Sequence, residues 1–85
     1  MNTSDIEIVH LIDEHEFVIN IGQGQAQARL SYKLFDGRIN FTHTFVPTEL
    51  RGKGLAEKLV RHGLSWANSE KLIIETSCWY VQKFL

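Results

Sequence analysis

The segment Leu50-Arg51-Gly52-Lys53-Gly54-Leu55-Ala56 has the residue types and spacing most suited to chemistry in this chain. It lies between a run that alternates as strands do and a run with helical apolar spacing, so a strand enters a glycine-bearing turn and a helix leaves it. The first N–H groups of a helix have no partner within it, and the helix dipole adds partial positive charge there. Gly52 and Gly54 lack the Cβ atoms that would hold a ligand away from those donors, and Arg51 and Lys53 set cations alongside. Such a turn suits a pyrophosphate; it reads equally as a loop with solvated basic side chains. No Gly-x-x-x-x-Gly-Lys-Ser/Thr occurs, which excludes a P-loop. A dinucleotide fingerprint would need glycine at 57, where Glu57 stands.

Two further side chains are candidates. Cys78 precedes a short helical segment, where a thiolate is stabilised, yet lone cysteines also pack as small hydrophobes. His43 falls in one row of a strand with Ile39, Phe41 and Phe45. It reads as a base for an incoming ammonium or as a half-buried ring satisfied by a neighbour, and Glu75 is a rival base. His10, His15 and His62 have no metal-ligand spacing with one another or with Cys78, so no metal site is expected.

These residues need elements to position them. Alternation predicts four antiparallel strands between Ile6 and Val46, with turns at Asp13-Glu14-His15, Gly22-Gln23-Gly24 and Asp36-Gly37. Ala26, Ala28, Leu30, Tyr32 and Leu34 share one face of the third strand. Ile39, Phe41, His43 and Phe45 share one face of the fourth. Pro47 ends that strand. From Leu55 the apolar residues Leu55, Ala56, Leu59, Val60, Leu64 and Ala67 form one helical stripe, closed at Asn68-Ser69-Glu70. Leu72-Ile73-Ile74 reads as an interior parallel strand, reached by a βαβ crossover. Thr76 or Ser77 is expected to cap a last helix from Trp79 to Leu85, and Trp79, Tyr80 and Phe84 either close the core or line a pocket. The expected fold class is α+β: a mostly antiparallel mixed sheet of about five strands with one long and one short helix.

Length and composition narrow the function classes. At 85 residues the expectation is one domain over 1–85, with a small core. A formal charge of −1 offers no global positive field, so neither nucleic acid nor an anionic membrane is an expected partner. A single cysteine excludes an intrachain disulfide framework and a Cys-rich zinc site. No apolar run is long enough to span a bilayer or to form a signal-peptide core, so the expected location is cytoplasmic.

Val46-Pro47 followed by Leu50 to Ala56 resembles motif A of the GNAT acetyltransferase superfamily. Thr76-Ser77-Cys78-Trp79-Tyr80-Val81-Gln82-Lys83-Phe84 resembles the C-terminal signature of the very short GNAT-like proteins. Together the matches cover about residues 16–85. The resemblance implies a minimal GNAT-like fold whose Arg51–Ala56 turn binds the pyrophosphate of acetyl-CoA, with the pantetheine arm between strands four and five. It implies a coenzyme site of Phe45, Val46, Arg51, Gly52, Lys53, Gly54, Leu55 and Ala56, with Cys78 and His43 as catalytic candidates. The first motif position is Glu49 where the superfamily has Gln or Arg. The implied activity is acetyl transfer from acetyl-CoA to an amine. The alternatives are an acyl-CoA-binding or sensing module acylated on Cys78, and a protein-interaction domain. The mixed charges of the wet faces select neither a basic protein tail nor an acidic metabolite as the acceptor.

Overall fold

The computed structural model describes residues 7–20, 27–48, 52 and 54–85. Four antiparallel strands come first: β1 (Ile8–Leu11), β2 (Glu16–Asn20), β3 (Gln27–Phe35) and β4 (Arg38–Phe45). Helix α1 (Leu55–Ser69) then crosses to β5 (Ile73–Thr76), and a single turn of helix, α2 (Trp79–Gln82), follows. The sheet order is β1-β2-β3-β4-β5, with β5 parallel to β4 as the crossover requires.

Local chemistry explains the connections. Asp36 and Gly37 both take positive φ (51° and 75°), the paired left-handed turn that keeps two right-twisting strands in step. Between β1 and β2 the chain makes one 3-10 turn, Ile12–Glu14, closed by His15 at φ 58°. The turn expected at Gly22-Gln23-Gly24 lies outside the described residues. Helix α1 ends in a Schellman arrangement, in which Leu72 N–H donates to Ala67 O (2.9 Å) and Lys71 N–H to Asn68 O (3.0 Å).

One sheet face packs on α1. Phe17, Ile19, Ala28, Leu30, Tyr32, Ile39 and Phe41 meet Leu55, Leu59, Val60 and Ala67, and Val81 of α2 closes one end. Gly63 lets the helix settle close, since a Cβ there would stand 3.0 Å from both Leu30 Cδ2 and Phe41 Cε1.

Three expectations require correction. The apolar row of β4 does not continue through His43 and Phe45. Tyr32 pairs with Phe41 but Ser31 pairs with His43, leaving Thr42 as the extra residue of a β-bulge. Beyond it the alternation is reversed, so Thr44, opposite Leu30, joins the helix side, while His43 and Phe45 turn to the outer face and are exposed. Second, β5 is an edge strand rather than an interior one, with Ile73 59% exposed. Third, the last helix has Cys78, not Thr76 or Ser77, at its N-cap position and ends at Gln82. Of the three aromatic residues Tyr80 and Phe84 pack against the core, while Trp79 is 73% exposed and lines a pocket. No helix among the described residues is long and apolar enough to cross a membrane.

Candidate functional site

The β4–β5 ladder runs only from Arg38↔Ile73 to Phe41↔Thr76, although β4 continues to Phe45. Past Thr76 the second chain turns away. Ser77 N–H donates to Phe41 O (3.0 Å) and also lies 2.9 Å from Asn40 Oδ1, which ends the pairing. The two strands part, and an open cleft of about 380 Å³ lies beside the gap. Thr44, Phe45 and Val46 form one wall, Cys78, Trp79 and Tyr80 the opposite one. Gly52, Gly54 and the first turn of α1 (Leu55, Ala56, Glu57) form the end.

The glycine turn has the character its residue types predict. Gly52 and Gly54 adopt φ of 83° and 74°, a region costly for residues with a Cβ. A Cβ built on either would meet no atom within 4 Å, so the space beside both is open. Gly54 is the N-cap of α1 and provides no side-chain acceptor. The first intrahelical bond is Lys58 N–H to Gly54 O (3.1 Å), so the amides of Leu55, Ala56 and Glu57 precede the helical ladder at the cleft. The end of the cleft therefore fits an anionic group held by main-chain donors.

On the opposite wall, Cys78 Sγ lies 3.5 Å from Thr44 Oγ1. Thr76 fixes the backbone of Cys78: its Oγ1 accepts from Cys78 N–H (2.9 Å) and donates to Phe41 O (2.8 Å). Partial burial pushes the Cys78 thiol up, but hydrogen bonds from the Thr44 side chain and from the Val81, Tyr80 and Thr44 backbones outweigh it. The net result is a thiol more acidic than usual. Lys83 Nζ sits 5.0 Å from the Tyr80 ring centre and 5.5 Å from that of Trp79, two residues of this wall.

Seven sequence candidates thus gather at one cleft: Phe45, Val46, Gly52, Gly54, Leu55, Ala56 and Cys78. His43 is not among them, because the bulge turns it to the outer face, away from Cys78. Arg51, Lys53 and Glu49 lie outside the described residues. Sequence reasoning missed Thr44, whose position depends on the bulge. It also missed Glu57 as a cleft residue, although its side chain is on the wet face as expected, paired with Arg61 (2.7 Å). Glu57 follows the glycine turn by three residues, a proximity legible once α1 is known to begin at Leu55.

A second cluster surrounds His10, whose ring stacks on Phe17 (3.9 Å) and meets the edge of Trp66 (4.5 Å). Its Nε2 lies 2.7 Å from Tyr32 Oη. Partial burial, then the nearby His62 and His15, holds its pKa below the ordinary value.

The profile of the GCN5-related N-acetyl-transferase family matches residues 16–85. Protein NATD1 of Bos taurus is 32% identical over 81 residues, covering 94% of this chain and 72% of that protein. NATD1 of Gallus gallus is 31% identical, over 94% of this chain and 74% of its own. The solution structure of a GCN5-like protein from Staphylococcus aureus superposes with a TM-score of 0.72 at 32% identity, covering 95% of this chain and 78% of that one. The profile spans the bulged β4, the glycine turn and the Cys78 wall in one continuous match, and the chain belongs to the GCN5-related N-acetyltransferase family.

Proposed function

We propose that the cleft binds acetyl-CoA and that the protein transfers its acetyl group to an amine. The observation that carries this reading is the meeting of an anion-suited helix start at Gly52, Gly54, Leu55 and Ala56 with a thiol-bearing wall across one cleft. Gly52, Gly54 and the first amides of α1 would hold the diphosphate, with Arg51 and Lys53 adding charge. The wall at Phe45 and Val46 would lie along the pantetheine arm. Bound acetyl-CoA supplies a thioester carbonyl open to a nucleophile, with a thiolate as leaving group. An amine is mostly protonated near neutral pH and must lose a proton before it attacks.

Incubation with acetyl-CoA and a panel of primary amines tests the proposal. Free CoA released only when both are present supports it; none released with any amine counts against turnover.

A second reading is favoured by the position of Cys78 in the cleft wall: an acyl-CoA-binding module acylated on that sulfur. Its thiolate would form the new S–C bond, the thioester C–S bond would break, and the departing CoA thiolate would take a proton from water. A stable gain of one acetyl mass, with no release to amines, would favour it.

A further inference from the structure

The bulge at Thr42 has a chemical consequence. An unbroken β4 would turn position 43 toward the helix side and position 44 away from it. The extra residue exchanges them, bringing a hydroxyl rather than an imidazole to 3.5 Å from Cys78 Sγ. The partner is held as firmly. Thr76 Oγ1 bridges Cys78 N–H (2.9 Å) and Phe41 O (2.8 Å), which ties the Cys78 backbone to the strand that carries Thr44.

We infer that Thr44 is the positioning residue for Cys78: its hydroxyl donates to Sγ and keeps the ionised sulfur at the cleft wall. This rests on reading Cys78 as the sulfur beside the acetyl group. A neutral thiol and a hydroxyl can each donate to the other, but a thiolate can only accept. Loss of the Cys78 proton to water therefore fixes Thr44 as donor. The direction agrees with the lowered thiol pKa, in which the Thr44 side chain is the largest favourable contribution. Thr44 itself makes and breaks no covalent bond.

Cys78 is the single cysteine, so alkylation reports on it alone. The test is the pH dependence of the iodoacetamide reaction rate in the absence of coenzyme, read by intact mass. The full chain is compared with Thr44→Val, Thr44→Ala and Thr44→Ser. The parent midpoint is expected below that of a free thiol, about 8.5. Both Thr44→Val and Thr44→Ala should raise it by roughly half a pH unit to one unit, and Thr44→Ser should restore it. A packing role alone would change the melting temperature and leave the midpoint in place. An unchanged midpoint in a folded Thr44→Val or Thr44→Ala protein overturns the inference, as does a parent midpoint at or above the free-thiol value. That failure concerns Thr44 and leaves the coenzyme reading standing; absence of acetyl-CoA binding by the parent, read separately by calorimetry, would overturn the coenzyme reading on which the role of Cys78 rests.

Discussion

Gly63 of α1 lies so close over Phe41 of β4 that an added Cβ would stand 3.0 Å from Phe41 Cε1. The glycine is fully helical, so its value here is clearance rather than unusual backbone freedom. Substitution with a large side chain must lift the helix from the sheet. Gly63→Leu should lower stability by about 1–3 kcal/mol in urea titrations. It should also loosen the cleft, because the first turn of the same helix, from Leu55, forms the cleft's end. A variant as stable as the parent would contradict this packing.

Lys71 occupies the left-handed position that ends α1, at φ 60°. Glycine is the usual residue there because a Cβ crowds the following carbonyl. Lys71→Gly should therefore raise stability by about 0.5–1 kcal/mol in the same titration. A loss would mean that the lysine side chain contributes more than its backbone strain costs.

The His10 cluster predicts a pH dependence with a definite sign. Its folded-state pKa is depressed below 6.5, so on acidification the unfolded chain takes up this proton first. The contribution is present above that value and is lost as pH falls below it. The melting temperature should decline over that interval, and His10→Phe, which keeps a ring against Phe17 and Trp66, should flatten the slope. An identical slope in the variant would assign the dependence to other groups.

Trp79 is 73% exposed at the cleft and Trp66 packs in the distant His10 cluster, so the two report separately. Acetyl-CoA should change tryptophan emission in the parent and in Trp66→Phe but not in Trp79→Phe. A response that survives Trp79→Phe would put the ligand elsewhere.

Much of this molecule is legible in local patterns. The Asp36-Gly37 hairpin, the apolar stripe of α1 and the start of that helix after Gly52 and Gly54 each follow from short-range stereochemistry. The phase of β4 does not. A bulge is decided by how Ser31 and Tyr32 register against the neighbouring strand, and nothing in Phe41-Thr42-His43-Thr44 taken alone marks Thr42 as the extra residue. Read as an unbroken strand, β4 puts His43 in the row of Phe41 and turns Thr44 away from it. Edge position is likewise a property of the assembled sheet: the apolar Leu72-Ile73-Ile74 run reads as interior because only the topology reveals that, among the described residues, no strand pairs beyond β5. The exposure of Trp79 is likewise a matter of phase, since the one turn of α2 points Val81 into the core and leaves Trp79 outside it.

Calorimetric titration of acetyl-CoA into the parent protein and Gly54→Glu tests the central claim most directly. Gly37→Ala is the control, since it imposes similar left-handed strain (φ 75°) at the β3–β4 hairpin, outside the cleft. The parent and Gly37→Ala should bind alike, while Gly54→Glu, folded but with a carboxylate introduced at the helix start, should bind more than about tenfold more weakly. Equal affinity in all three, or no binding by the parent at millimolar coenzyme, would contradict the assignment of this cleft to acetyl-CoA.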